Sequence, residues 1–162
     1  MSKPHSYSFR KVTMDDLPLL KQWRSNPHVQ EWWDSDEPNS ATELTDVRVD
    51  KWIVSIDAKP FAYIQDYTVH GWPDHHFIDL PHGSRGIDQF IGPSDMVGLG
   101  HGTRFIGARM QALFQAGAPV IGTDPHPENV RAIAVYKKLG FKALGPARET
   151  RWGLILPMVA AR

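Results

Sequence analysis

An α/β or α+β domain with a mixed sheet is the fold class that the 162-residue sequence predicts. Three observations carry this prediction. Segments typical of strands alternate with segments typical of helices, and neither an internal repeat nor a low-complexity stretch interrupts them. The second half contains a strand, a glycine-rich loop, a helix, a strand and a helix in succession. The length suits one domain with a substantial core, so we expect residues 1–162 to form a single domain.

The first part of the chain is predicted to form one strand and two helices. Residues 7–12 alternate between apolar and polar side chains, as in a half-buried strand. Thr13 then offers a helix N-cap, with two aspartates in the first turn, where the helix dipole favours carboxylates. The Asn-Pro pair at 26–27 ends this helix, and a short second helix follows over 28–33. The inner face of the first helix comprises Leu17, Leu20 and Trp23.

Two antiparallel strands are predicted next, over 51–56 and 60–69, and they are joined by a tight turn at 57–59. The segment 70–85 is rich in glycine, proline and histidine and indicates a loop. A short strand follows at 86–92.

The stretch "GLGHGTRFI" at 98–106 places three glycines at alternate positions and leads into an apolar helix. This helix is predicted to begin at Gly102 or Thr103 and to end at Gly117, a typical C-terminal capping residue. The positions that repeat at helical spacing are Ile106, Met110 and Leu113. The remaining predicted elements are a buried strand at 119–124, a helix at 128–138 stopped by Gly140, and strands at 141–150 and 151–159.

Composition excludes several classes of protein. Lysine plus arginine equals aspartate plus glutamate at 18 each, so no overall charge attracts nucleic acid or an acidic membrane. The absence of cysteine excludes disulfides, thiol nucleophiles and cysteine metal sites. No apolar run has the length of a signal peptide or a membrane span, so we expect a cytoplasmic protein that binds neither nucleic acid nor membrane. Whether it is a monomer or a homodimer is left open.

The charges are unevenly distributed along the chain. Between Glu31 and Asp50 there are seven acids and one base, whereas from Arg131 onward there are seven bases and one acid. This distribution fits a cationic substrate and an anionic cofactor, and it also fits an ordinary solvated surface.

The glycines at 98, 100 and 102 stand where a helix begins and its first backbone N–H groups lack partners. The helix dipole adds partial positive charge there, and glycine allows a phosphate to approach the backbone closely. By spacing alone, the loop is either an anion cradle or a purely structural turn, because neither a dinucleotide fingerprint nor a P-loop is present.

A later helix adds to the pattern. Asn129, Ile133 and Tyr136 recur at spacings of four and three, so the spacing places the amide and the phenol on one helical face. With Ala132, Gly140 and Phe141, this segment and the glycine loop resemble the Gcn5-related N-acetyltransferase superfamily. The family's loop usually begins with arginine or glutamine, and this chain carries Val97 there.

The resemblance implies a single-domain acetyltransferase fold, with a mixed, largely antiparallel central sheet flanked by helices. It also implies that backbone amides of the loop hold the pyrophosphate of acetyl-coenzyme A as co-substrate. The residues implied to bind this cofactor are Gln89, Ile91, Val97, Gly98, Leu99, Gly100, His101, Gly102, Thr103, Asn129 and Tyr136.

A narrower resemblance covers roughly residues 8–155. The segments 29–33, 86–92, 98–103 and 123–141 are similar, in the same order, to those of the aminoglycoside 6'-N-acetyltransferases. It implies acetylation of the 6'-amine of an aminoglycoside by direct transfer, as in antibiotic resistance. Siderophore-type acyltransferases share parts of this layout.

Asp88 is the candidate general base, because the family's aspartate falls on it; the alternatives are a structural carboxylate or an anchor for the substrate ammonium. A water relay would help with the large pKa difference between the Asp88 carboxyl group and the ammonium group of the substrate. Tyr136 is the candidate acid, since a phenol with a pKa near ~10 keeps its proton at neutral pH; the alternative is packing against the cofactor. Backbone N–H groups along 89–92 are candidates for polarising the thioester carbonyl if the strand ends at Gly92-Pro93.

A substrate with several ammonium groups favours carboxylates and flat apolar surfaces. We expect Trp33, Asp74, Asp88, Asp124 and Glu149 to bind it. For Trp33 the alternative is core packing, and for Asp124 it is capping of the turn at Pro125. The wider set of candidates also includes Glu31, Trp32, Asp34, Asp36, Asp66 and Trp72.

The cluster of histidines and aspartates at 70–82 lacks any regular metal-ligand spacing, so we expect no metal and interpret it as a flexible substrate loop. Three other functions stay open: acylation of a siderophore precursor or small polyamine, acetylation of a peptide N-terminus, and coenzyme A sensing without turnover.

Overall fold

The computed structural model describes residues 6–33 and 44–162. Within these ranges, seven strands form one sheet in the order β1-β2-β3-β4-β5-β9-β6, and β7 and β8 form a separate pair. The strands are β1 Tyr7–Lys11, β2 Val49–Ile56, β3 Lys59–Thr68, β4 Arg85–Ile91, β5 Val120–Thr123, β6 Lys142–Ala143, β7 Arg148–Thr150, β8 Gly153–Ile155 and β9 Met158–Ala161. The helices are α1 Leu17–Arg24, α2 Pro27–Gln30, α3 His101–Gln115 and α4 Val130–Lys138.

The sheet is mixed. The pairs β1–β2, β5–β9 and β6–β9 are antiparallel, whereas β4 and β5 are parallel. This mixed, largely antiparallel sheet with flanking helices confirms the predicted fold class.

The described residues pack as two compact units. One comprises the described residues up to Gln65 together with Gln89–His101, and the other comprises Asp66–Asp88 together with Gly102–Arg162. That the chain is a single domain stays a prediction.

The first unit has an aromatic and aliphatic core, to which the predicted inner face of α1 contributes Leu20 and Trp23. Gly92 lies under the Trp23 indole, where an added Cβ would come within 2.3 Å of the ring. The helix α1 begins later than predicted, because Met14–Asp16 form a 3₁₀ turn before it. The Asp16 carboxylate accepts from the Thr13 amide and pairs with both terminal nitrogens of Arg10, which holds the pKa of Asp16 below its usual value.

The helix α3 begins at His101, one or two residues before the predicted start. Its buried face includes Ile106, Met110 and Leu113, as the spacing predicts. Gly117 ends the helix with a φ of 108°, and the next amide, of Ala118, donates to the carbonyl of Leu113. The final predicted strand, 151–159, is interrupted at Leu156-Pro157, because proline has no N–H for a sheet ladder. The part before the interruption, β8, pairs with β7 as a hairpin.

The β2–β3 hairpin turns through Asp57 and Ala58 with positive φ values of 47° and 71°. Such turns favour glycine, and the left-handed region costs an alanine about 1 kcal/mol. We expect Ala58→Gly to raise the free energy of unfolding by about 0.5 kcal/mol, after the entropy gained by the unfolded chain is subtracted. Urea unfolding measures this change, with Ala112→Gly on α3 as the control, which should lose about 1 kcal/mol. Equal losses in both variants would contradict the prediction.

Candidate active site

Two carboxylates meet where parallel strands β4 and β5 run side by side. Gly86 and Gly122 are paired in register, so Asp88, two residues further along β4, lies at the level of Asp124, which directly follows β5. The carboxyl groups of Asp88 and Asp124 lie within hydrogen-bonding range of each other, and such a bond requires a proton on one of the two. Burial raises the pKa of Asp124, and the hydrogen bond with Asp88 opposes that rise. Asp124 therefore occupies a partly desolvated position.

Two phenols belong to the same cluster. Tyr136, on α4, is 4% exposed and contacts Phe141 edge-on. Tyr67, on β3, is 6% exposed, and its pKa is raised well above the usual value by burial and then by the charges of Asp124, Asp88 and Tyr136. Tyr67 therefore keeps its proton at neutral pH.

Sequence reasoning did not identify Tyr67 as a site residue. The only signal lies in the glycine that precedes Asp88 by two positions. A Cβ on Gly86 would come within 2.3 Å of the Tyr67 ring carbon Cζ and 2.5 Å of its hydroxyl oxygen. Gly122, its register partner, similarly leaves room for the ring of Phe77, which an added Cβ would approach to 2.7 Å. The two glycines thus seat an aromatic ring each beside the carboxylate pair.

The segment 70–82 is folded onto this cluster, and its interpretation as a flexible substrate loop stays a prediction. Its backbone is held by successive turn hydrogen bonds, such as Ile78 N to His75 O and Leu80 N to Phe77 O. The side chain of His76 is 2% exposed, and its Nε2 lies 2.9 Å from Oδ2 of Asp124. The imidazoles of His75 and His76 are stacked at 4.1 Å, and the Trp152 indole covers both.

These stacked histidines are uncharged at neutral pH. Burial is the main reason that the pKa of each is lowered to about 4. Among the described residues, no three histidine, aspartate or glutamate side chains converge to hold a metal ion.

The histidine pKa values predict how stability depends on pH. Between pH 6.5 and about 4, the folded state binds fewer protons than the unfolded state. The contribution of the two histidines to the free energy of unfolding is therefore complete above pH 6.5 and is lost as the pH falls to about 4. Each histidine contributes at most about 3 kcal/mol by this route. Denaturant unfolding at pH 7.0, 5.5 and 4.5 measures it, and His75→Phe should show a shallower pH slope than the wild type. Parallel slopes would contradict the prediction.

The glycine loop combines left-handed turns with exposure. Gly98 and Gly100 have φ values of 79° and 87°, and both are exposed together with Leu99. The loop runs directly into α3, a helix of 15 residues. At Gly102, an added Cβ would meet only Ile106 Cδ1, at 4.0 Å, so packing within the protein does not require a glycine there. This geometry fits a diphosphate held by backbone amides at a helix N-terminus.

The side chain of His101 has a structural role instead. It is 5% exposed, its Nδ1 lies 2.7 Å from the Tyr7 hydroxyl, and its ring packs edge-on against Phe61. Only the backbone of His101 is therefore a candidate for contacting a phosphate. Val97 is half-buried and follows the 3₁₀ turn Ser94–Met96; the roles of Val97 and Thr103 stay predictions.

At the end of β4, one predicted amide is already used: Gly92 N donates to Phe61 O at 2.8 Å, so it cannot polarise a thioester carbonyl. The carbonyl of Gln89 accepts a hydrogen bond from Trp33 Nε1, and the carbonyl of Ile91 is contacted by His28 Nε2. The cofactor roles of Gln89 and Ile91 stay predictions.

Asn129 is the N-cap of α4 and lies before its first turn, whereas the spacing placed it within the helix. Its Oδ1 accepts from the Ala132 amide at 3.3 Å. The carbonyl oxygen is therefore engaged in capping, and a cofactor contact of this residue stays a prediction.

The predicted substrate residues are distributed over both units. Trp33 is half-buried and packs edge-on against Tyr63 and Phe90, beyond the end of α2, which stops at Gln30 and not at residue 33. Asp74 is exposed and pairs with Arg151 at 3.2 Å, and Glu149 is exposed on β7. The described structure brings Asp124 together with Asp88, but the substrate roles of all these residues stay predictions.

Among the wider candidates, Asp66 is wrong as a substrate ligand. It is fully buried and its carboxylate is held by Arg85 and Arg109. Trp72 contacts the Tyr67 ring edge-on at 5.4 Å, whereas Trp32 is half-buried and Glu31 is exposed. Asp34 and Asp36 lie outside the described residues.

Comparison with known proteins adds a family and several relatives. Residues 12–148 match the family described as the acetyltransferase (GNAT) domain. Aminoglycoside N(6')-acetyltransferase type 1 of Klebsiella pneumoniae is 32% identical over 154 residues, covering 86% of this chain and 76% of that relative. The solved structure of AAC(6')-Ib with paromomycin and acetyl-coenzyme A is 31% identical, with a TM-score of 0.86, covering 97% of this chain and 94% of that one.

A second solved structure of AAC(6')-Ib, with coenzyme A and kanamycin, has a TM-score of 0.85 at 31% identity and covers 97% of this chain and 95% of that one. No helix among the described residues is long and apolar enough to cross a membrane.

Proposed function

This chain belongs to the acetyltransferase (GNAT) family and is an N-acetyltransferase, and on that premise we propose that it acetylates the 6'-amine of aminoglycosides with acetyl-coenzyme A. The observation that carries the proposal is the pair of carboxyl groups of Asp88 and Asp124, near which the Tyr67 ring packs against Gly86. A polycationic amine needs such anionic groups, and acetyl transfer needs a proton acceptor and a proton donor. The relatives whose names specify aminoglycosides support the choice of acceptor.

Asp88 is the proposed base, acting directly or through one water. The acceptor must lose a proton before its nitrogen can attack a carbonyl, and Asp88 is half-buried at the level of Asp124. Asp124 would then hold a neighbouring ammonium group, because an anionic carboxylate in a partly desolvated position attracts a cation more strongly than one in water.

Tyr136 is the proposed acid. Its phenol is buried and would donate a proton to the departing thiolate. Tyr67, a second protonated phenol, would hold its hydroxyl toward the two carboxylates and so limit their freedom to rotate.

Acetyl-coenzyme A supplies the activated acetyl thioester, and the loop at 97–103 would hold its diphosphate. The positive φ values of Gly98 and Gly100 and the room at Gly102 support this assignment. The cradle uses main-chain amides, so valine at position 97 does not remove it. Trp33, Asp74 and Glu149 are the further residues that we propose to contact the acceptor.

The experiment is an assay of thiol release from acetyl-coenzyme A with purified protein. Rapid release with kanamycin-type aminoglycosides, and none with analogues that carry a 6'-hydroxyl, is the expected result. Turnover only with hydroxylysine derivatives, polyamines or short peptides would overturn the acceptor but keep the reaction. Coenzyme A binding without turnover on any amine would instead indicate a sensor.

A further inference from the structure

The histidine segment contributes one side chain directly to the carboxylate pair. Nε2 of His76 lies 2.9 Å from Oδ2 of Asp124, and the imidazole is 2% exposed. The ring is fixed by stacking on His75, by Phe77 at 4.6 Å and by Trp152 at 5.7 Å. This contact joins a buried imidazole to a half-buried carboxyl group.

The environment of the ring indicates which nitrogen carries the proton. Nδ1 of His76 is buried and has no hydrogen-bond partner among the described residues. A buried N–H without a partner is rarer in proteins than an unsatisfied acceptor, so the neutral ring places its proton on Nε2. The pKa of His76, lowered to about 4, keeps the ring neutral at neutral pH. His76 therefore donates to Asp124.

We propose that His76 is a positioning residue: its Nε2–H fixes the carboxyl group of Asp124 and favours the anionic form that receives the ammonium of the acceptor. This inference rests on the proposed function. Donation to a carboxylate favours its charged form and so opposes the burial that raises the pKa of Asp124.

Other charged or titratable groups face the same cluster and must stay constant in a test. They are the phenols of Tyr67 on β3 and Tyr136 on α4, the carboxylate of Asp88 on β4, and Arg148 on β7, whose charge acts on His76. The design therefore changes His76 alone. The control is His82, an exposed histidine of the same segment.

The test follows the carboxyl carbons of the full-length protein, labelled with ¹³C-aspartate, by NMR across pH. In His76→Phe, the titration midpoint of the Asp88–Asp124 pair should rise by about 0.5 to 1 pH unit. His76→Gln, whose amide can still donate, should recover part of that shift, and His82→Phe should match the wild type. An unchanged midpoint in folded His76→Phe would overturn the proposal.

A measurement on the unaltered protein guards against a variant that does not fold. The ¹⁵N shifts of His76 should show a neutral ring protonated at Nε2, and a ring protonated at Nδ1 would overturn the proposal. Neither NMR readout requires acetylation, so silence of the wild type with aminoglycosides would refute the proposed function separately.

If the function holds, kinetics give a third readout. His76→Phe should raise the KM for the amine about tenfold with a smaller change in kcat, and should move the acidic limb of kcat/KM to higher pH. A fall in activity by the same factor at every pH would indicate a merely structural role and contradict the proposal.

Discussion

Asp88→Asn is expected to lower kcat about 100- to 10,000-fold, the range that general acid–base catalysis typically contributes. Asparagine keeps the size of the side chain but cannot accept the proton of the acceptor. It can still hydrogen-bond to Asp124, so the partner carboxylate keeps a neighbour in place. Steady-state kinetics with a kanamycin-type aminoglycoside measures the change, and coenzyme A affinity should stay at its wild-type value.

The division of the loss between kcat and KM distinguishes the two roles of Asp88. A large rise in the KM for the amine with an unchanged kcat would mean that Asp88 only anchors the acceptor. The matched control is Asp74→Asn, an exposed carboxylate paired with Arg151. Because a surface ion pair contributes little, this variant should alter substrate affinity modestly and leave kcat unchanged.

Gly86→Ala is expected to have the second-largest effect, because one methyl group would penetrate the Tyr67 ring. The added Cβ would lie 2.3 Å from Cζ, a distance that buried atoms do not adopt, so either the strand or the phenol must move. Overpacking of this kind costs about 3 kcal/mol, or about 6 to 12 °C in Tm for a chain of this length. Calorimetry and the thiol-release assay should show losses of stability and activity together.

Two further variants make that result interpretable. Gly102→Ala places the same methyl group where it would meet only Ile106 Cδ1, so its Tm should not fall. Combining Gly86→Ala with Tyr67→Leu should restore much of the Tm, since the smaller side chain makes room for the methyl. If the double variant is no more stable than Gly86→Ala alone, the clash is not the cause.

The sequence predicts the parts of the site that depend on local chemistry. Glycine at a helix start and a capping residue before a helix are set by their immediate neighbours, and the sequence predicts Gly100 and the α3 core positions in this way, whereas Asp88 is predicted from the resemblance to the family. The juxtaposition of Asp88 and Asp124 depends on a parallel register between strands separated by a whole helix. No periodicity in either strand encodes that register.

Tyr67 and His76 could not be predicted for related reasons. β3 is buried along most of its length, so alternation does not distinguish a core phenol from one that faces a carboxylate. The segment at 70–82 resembles solvent-exposed loop by composition, and much of it is exposed, but His75 and His76 pack against Trp152 and Phe77 packs against Gly122. His76 and its partner Asp124 are 48 positions apart in the sequence, beyond the reach of a local pattern.

The seat of Phe77 against Gly122 limits how this segment can be exchanged between relatives. A segment of the same length taken from a relative would place its own side chains against Gly122, whose missing Cβ leaves room for the ring of Phe77. It would also place them against the carboxyl group of Asp124, which pairs with His76 in this chain. Grafts that alter acceptor range would therefore succeed only when positions 76, 77, 122 and 124 are inherited as a block. We expect these four sites to behave epistatically in directed evolution, with single replacements appearing deleterious and the combined replacement tolerated.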